Sequence, residues 1–172
     1  MLEPARTDEP KDDFLKKVGE LCRKEGAVYV LDETITGFRW HRHGAQHVYG
    51  VTPDLSCFGK AMANGFSISA LAGNRDLMDL GGIRHKHADR VFLLSTTHGA
   101  ESPSLAAAME TMRIYRDEPV TDHLEAIGNS LRRKLQPLID ANGLTEQIKL
   151  SGRGCSLMFS TLDNELQPSQ PL

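Results

Sequence analysis

Two residues of this chain could do chemistry together. Asp32 ends the apolar run Val28-Tyr29-Val30-Leu31, and Lys60 follows a second run, Leu55-Ser56-Cys57-Phe58, among the small residues Gly59, Ala61, Ala63 and Gly65. A lysine amine condenses with a carbonyl, and a carboxylate can keep a ring nitrogen protonated so that the ring accepts electrons. Small apolar neighbours desolvate the amine and favour its neutral, nucleophilic form. The acid must be ionised to make a charge-assisted bond to a ring N–H, which an asparagine would give up. Each residue alone has a plainer reading, since a strand-end Asp often caps a turn and a lysine after a strand is usually a solvated charge. The pair in its setting is what carries the argument.

The elements that must position this pair are legible as a wound α/β unit. Phe14, Leu15, Val18, Leu21 and Cys22 recur at helical spacing between Lys11 and Glu25, and Gly26 is a stop signal. Ala27 to Leu31 is a short continuous apolar run of the kind buried parallel strands show. A helix feeding such a strand places Asp32 at a carboxyl edge, where open α/β sheets bind ligands. Beyond it the pattern predicts a short helix over Gly44–Tyr49 and strands over Leu55–Phe58, Ile68–Ala72 and Val91–Ser95. A short helix over Arg75–Leu80 and a polar loop over Gly81–Arg90 lie between the last two. Longer helices follow over Ser102–Tyr115 and Val120–Ala141, then strands near Gln147–Leu150 and Cys155–Ser160. The first ten residues and the stretch from Asp163 to Leu172 are polar and proline-containing, which predicts loop or tail. The change of character near Asp117-Glu118-Pro119 predicts a boundary, with residues 1–117 in one domain and 118–172 in another.

Composition narrows the classes. The chain has 172 residues, 40% hydrophobic and 25% charged, enough for an ordinary globular core. A net charge of −3 gives no basis for expecting nucleic acid or an anionic membrane as partner. No apolar run approaches the roughly 20 residues of a membrane span, and the start lacks the apolar core of a secretory signal. Cys22, Cys57 and Cys155 are odd in number and widely spaced, which argues against a disulfide framework and points to a reducing cytoplasm.

Several ordered segments carry a resemblance. Asp32-Glu33-Thr34-Ile35-Thr36-Gly37-Phe38-Arg39, Gly44-Ala45-Gln46, Tyr49-Gly50-Val51-Thr52-Pro53-Asp54-Leu55, Phe58-Gly59-Lys60 and Thr97-His98-Gly99-Ala100-Glu101 stand in this order. Together they resemble class III aminotransferases, pyridoxal phosphate enzymes of fold type I, in particular the glutamate-semialdehyde aminomutase branch. The similarity runs from about Phe14 to Phe159. It implies part of a large α/β domain with a mostly parallel sheet, followed by the start of a smaller α+β domain. It also implies pyridoxal 5'-phosphate as cofactor, a Schiff base through Lys60, and Asp32 as partner of the pyridinium nitrogen. Thr34 would stand beneath the ring, where the family usually has an apolar residue. Thr97 would bind the cofactor phosphate and be lent by the neighbouring subunit of a homodimer. Glu101 replaces the family's usual asparagine. Family members are much longer, so the chain reads as an internal fragment.

Other candidates have bland readings beside the functional ones. Thr97 precedes a helix and would serve equally as an N-cap, and Ser95 or Thr96 offers the same hydroxyl. Glu33 reads as local support. His41, His43, His47, His85, His87 and His98 sit among Arg and Lys without carboxylate or cysteine ligands, so no metal site is expected; His98, next to Thr97, is a candidate for lining the cofactor site. Met62, Met78, Met109, Met112 and Met158 read as core fillers, Cys57 as a small buried hydrophobe, and the Leu124–Ile139 stripe as core. Arg39 and Arg42 would attract an acidic substrate or form a solvated face. Two functions stay open. One is an aminotransferase or aminomutase acting on a small-molecule amino donor or acceptor, and the other a truncated, non-catalytic relative with little cofactor binding. A nucleotide-binding domain is disfavoured because no Gly-x-Gly-x-x-Gly or P-loop occurs.

Overall fold

A computed structural model describes residues 1–82 and 101–169. The expected strand Val91–Ser95, most of the expected loop Gly81–Arg90, and the candidates His85, His87, Ser95, Thr96, Thr97 and His98 lie outside the described residues. The chain divides into two compact units, Met1–Pro4 with Pro10–Glu118, and Ala5–Glu9 with Pro119–Leu172.

In the first unit, α1 (Phe14–Lys24) buries Leu15 and Gly19, and Tyr29 packs where a Gly19 side chain would begin. Arg23 and Lys24 occupy its last turn, where cations suit the helix dipole. The chain then enters β1 (Val30–Asp32), whose Leu31 is wholly buried. After α2 (Gly44–Val48) comes β2 (Leu55–Phe58), parallel to β1 with Val30 opposite Leu55 and Asp32 opposite Cys57. The strand β3 (Ala70–Gly73) runs antiparallel to β2 and leads into α3 (Arg75–Asp79).

The other edge of β1 is not bare. Leu2 donates its N–H to the Val30 carbonyl at 2.9 Å and accepts from Asp32 N–H at 2.8 Å, a parallel bridge, and Pro4 is fully buried. The first ten residues are therefore partly built into the sheet, contrary to the expected tail. The pairing uses main-chain groups, which polar composition does not reveal. Two of the three pairings around β1 and β2 are thus parallel, as expected of a mostly parallel α/β sheet.

Met62, Ala63 and Ala108 form a buried cluster, with Phe38, Phe58, Ile68 and Ala107 packed on it. Phe38 meets Phe58 and Tyr115 edge-on, with ring centres 6.0 and 5.7 Å apart, a favoured aromatic geometry. This cluster ties the 3-10 turn Lys60–Met62 to α4 (Ser102–Asp117). The flank of α4 beside this cluster is exposed among the described residues, with Met109 72% exposed and Leu105 and Met112 also exposed. Met109 and Met112 are thus not core fillers, although Met62 is.

In the second unit, α5 (Val120–Ala141) packs on a 3-10 turn, Gly154–Ser156, so closely that a Cβ on Gly128 would collide with the Gly154 backbone. The hairpin β4 (Ile148–Ser151) and β5 (Met158–Thr161) is antiparallel, with Ile148 opposite Thr161. Ile139 is buried, but Ile127, Leu131 and Leu138 are exposed, so the Leu124–Ile139 stripe is only partly core. The segment after β5 is also more ordered than its composition predicts. Asp163 accepts the backbone N–H groups of Glu165 and Gln167, each at 2.9 Å, and Ser169 N–H returns to the Thr161 carbonyl. An aspartate that bonds its own following backbone makes such a turn stable without apolar side chains. Among the described residues, no helix is long and apolar enough to cross a membrane.

Candidate functional site

The parallel pairing of β1 and β2 decides which side chains meet. Asp32 lies opposite Cys57, so both strands finish at the same sheet edge, and Lys60 opens the turn just beyond it. The turn is anchored by buried Ala61, Met62 and Ala63, which leaves Lys60 exposed at its start. Lys60 has a φ of 43°, a left-handed conformation that side-chain-bearing residues avoid. Strain of this kind concentrates where a structure holds a functional group in place.

Asp32 is half-buried, and its Oδ1 accepts the Thr34 N–H at 3.0 Å. The Thr34 hydroxyl and N–H hold the Asp32 carboxyl below the usual carboxylate range; burial opposes them, and the charge of Lys60 adds to the lowering. Asp32 is thus kept ionised and lies within the electrostatic reach of Lys60. Thr34 also touches the lysine side of the site, because a Cβ on Gly59 would stand 3.4 Å from its methyl. Cys57 is pushed up by burial and then by the Asp32 charge, so it stays a neutral thiol. It is half-buried, not the fully buried hydrophobe expected from sequence.

Glu33, just past the end of β1, is turned inward instead. It is wholly buried and accepts three bonds, from the Thr36 hydroxyl at 2.5 Å, Ala45 N–H at 2.8 Å and Gln46 N–H at 2.7 Å. The last two are first-turn donors of α2 that the helix itself cannot satisfy. Gly44 is required at this contact. Its φ is +78°, and a Cβ would approach Glu33 Oε1 to 2.5 Å. The two adjacent acids divide the work, Asp32 facing the open edge and Glu33 fastening the loop behind it.

The described residues therefore bring Asp32, Thr34 and Lys60 together, while Thr97 and His98 lie outside them. Arg39 donates to the Ile35 carbonyl at 3.0 Å, so one arm of this substrate candidate serves its own loop. The fold also draws His47 toward His41 and His43, with their ligating atoms all within 4.8 Å of one another. Sequence alone gives no reason to expect a metal there, because Arg and Lys stand beside these histidines and no carboxylate or cysteine accompanies them. The spacing His-x-His-x-x-x-His was the available signal.

Comparisons with known proteins agree with this geometry. The family described as Aminotransferase class-III matches residues 7–168. The 3-aminobutyryl-CoA aminotransferase of Cloacimonas acidaminovorans is 36% identical over 140 residues, 81% of this chain and 32% of that protein. The glutamate-1-semialdehyde 2,1-aminomutase of Thermomicrobium roseum is 34% identical over 151 residues, 88% of this chain and 34% of that protein. Among solved structures, the FumI protein of Sphingopyxis sp. MTA144, in a PLP internal aldimine form, superimposes with a TM-score of 0.78 at 31% identity. That match covers 95% of this chain and 38% of FumI. The chain spans about a third of the length of the curated relatives it matches.

Pyridoxal phosphate asks for an ionised acid at its ring nitrogen, an amine within reach of its carbonyl carbon, and donors for its phosphate. Asp32, held as a carboxylate by Thr34, fits the first demand, and Lys60 on the same sheet edge fits the second. The donor expected at Thr97 lies outside the described residues.

Proposed function

The chain belongs to the class III aminotransferase family, and on that premise we propose that it carries the lysine and aspartate of a pyridoxal phosphate-dependent aminotransferase or aminomutase. The observation that carries this reading is the shared edge of β1 and β2, where an aspartate held ionised stands within the electrostatic reach of a strained, exposed lysine. When bound, the cofactor supplies an electron sink for the carbon that bears the substrate amine. Asp32 would hold the ring nitrogen protonated, and Thr34 keeps that carboxylate charged and in place. Lys60 would hold the cofactor covalently and, once displaced by a substrate amine, take and return the proton at the substrate carbon. Thr97 would supply a phosphate ligand.

The relatives include both a 3-aminobutyryl-CoA aminotransferase and glutamate-1-semialdehyde 2,1-aminomutases. We take the substrate to be a small amino acid, amino-aldehyde or keto compound. The working protein is proposed to be a homodimer, on the strength of the family resemblance. A reducing cytoplasm is the proposed compartment, supported by three free thiols. A second reading is favoured by one observation. Apolar side chains such as Met109 and Phe159 are more than 70% exposed, as expected of a non-catalytic relative with little cofactor binding on its own.

Incubation of the chain with pyridoxal phosphate, borohydride reduction and peptide mass mapping separates the readings. The first predicts a single adduct on Lys60, lost in Lys60→Ala with folding near normal, because the Lys60 side chain is exposed. No adduct, or one spread over surface lysines, would reject cofactor binding by this chain and leave the non-catalytic reading.

A further inference from the structure

We propose that His41, His43 and His47 form a binding site for a divalent transition-metal ion of the zinc, nickel or copper class. The site is separate from the Asp32–Lys60 edge and does not depend on the function proposed for it. The ligating atoms of the three imidazoles lie within 4.8 Å of one another. His43 immediately precedes α2 and His47 lies in its last turn. The two are four residues apart, the spacing that puts side chains on one face of a helix. His41 folds back onto the same face, because its Nδ1 accepts the His43 N–H at 3.0 Å.

The chemistry selects the ion. Neutral imidazoles suit zinc, copper and nickel, whereas magnesium and calcium demand oxygen ligands. Three histidines leave a fourth position for water or another small ligand. Around an ion with Zn–N bonds of about 2.0–2.1 Å, tetrahedral nitrogens stand roughly 3.3 Å apart. Closing to that spacing takes side-chain rotation. His41 and His47 are stacked at 3.9 Å with planes 11° apart, and parallel rings so offset cannot both aim a lone pair at one ion. His43 and His47 are exposed, and the ring contacts that a rotation must break are those the three histidines make with one another. Coordination through His41 Nε2 places the ring hydrogen on Nδ1 and returns the His43 N–H to solvent.

The position gives such an ion a consequence. The loop after β1 and the start of α2 are already joined by Glu33, the neighbour of Asp32, which accepts from Thr36, Ala45 and Gln46. An ion held by His41, His43 and His47 would clamp the loop to the helix a second time.

Titration of the 172-residue chain with Zn2+ at neutral pH, followed by calorimetry, tests the site. We expect one tight ion per chain, with a Kd of about 1 μM or below. His43→Ala or His47→Ala should each weaken binding at least about tenfold, the loss that removal of even an outer-sphere partner produces. His123→Ala and the triple change His85→Ala/His87→Ala/His98→Ala should leave it intact. Paramagnetic Ni2+ added to the unaltered chain should broaden the imidazole signals of His41, His43 and His47 first, a readout that does not depend on how the variants fold. Binding that survives His43→Ala and His47→Ala, a Kd near 1 mM or weaker, or broadening centred on other residues would overturn the proposal.

Discussion

The same device appears once in each unit, with different consequences. Glu33 and Glu125 are both glutamates that accept two backbone N–H groups at the start of a short helical segment and one side-chain donor besides. Glu33 binds Ala45, Gln46 and the Thr36 hydroxyl, and it is wholly buried. Glu125 binds Gly154 at 3.2 Å, Cys155 at 2.9 Å and the Asn129 amide at 2.9 Å in a partly buried setting. The first fastens a loop directly behind Asp32. The second fastens the turn that α5 packs against, where Gly128 allows the backbones to touch. A buried carboxylate must have every lone pair answered, because an unmet polar group costs its full desolvation. A half-exposed one can turn to water instead. The difference teaches that the scaffold of the candidate site is the less forgiving of the two.

The largest expected effect breaks that scaffold. Glu33→Gln turns an acceptor into an amide N–H2 facing a backbone donor, and should cost about 3 kcal/mol in urea unfolding. A loss under about 1 kcal/mol would show that Glu33 is not the clamp described here. Glu125→Gln should cost less, about 1–2 kcal/mol, since water can replace the lost partner.

Its pH dependence sharpens the contrast. Burial raises the Glu125 carboxyl, but the bonds from Cys155, Asn129 and Gly154 outweigh it and hold the carboxyl below its ordinary value. A carboxylate lowered in the folded state stabilises fully above the unfolded value, about 4.3, and loses that contribution as pH falls through the folded one. The unaltered chain should therefore lose more stability than Glu125→Gln between about pH 6 and pH 3. Equal slopes would show that Glu125 does not carry this term. Burial, then Glu125, pushes the Cys155 thiol up to about 12, so it does not titrate in this window.

The smallest effect is local to the site. Thr34→Val keeps the methyl beside Gly59 and the backbone bond, and removes the hydroxyl that most lowers the Asp32 carboxyl. Stability should change by no more than about 0.5 kcal/mol, while carbon-detected NMR titration finds the Asp32 pKa raised. An unmoved titration would mean that the N–H bond alone sets the charge.

Much of this was legible because it is local. The helix from Val120 to Ala141 was bounded by a 3.6-residue apolar stripe and by Asn142-Gly143, and Leu55–Phe58 by its apolar run after Pro53. Glu33 read as a supporting residue, and the three pocketed bonds bear that out. What escaped was held by main chain or by absent neighbours. Leu2 joins the sheet through its N–H and carbonyl, and Asp163 orders a polar turn through its own backbone. Met109 and Leu138 carry apolar periodicity, yet the described chain does not cover them. A stripe reports that a face can be buried, not what buries it.

By itself the sequence determined which side chains were available and which elements would carry them, because periodicity and turn residues act over a few neighbours. It also fixed the family, through segments in a particular order. Only the tertiary structure decided that Asp32 and Lys60 share an edge, that Glu33 reaches Ala45, and that His47 joins His41 and His43. Each of those outcomes depends on strand pairing or on a loop closing over many residues, and such closure is set by the whole packed unit, not by any one stretch of chain.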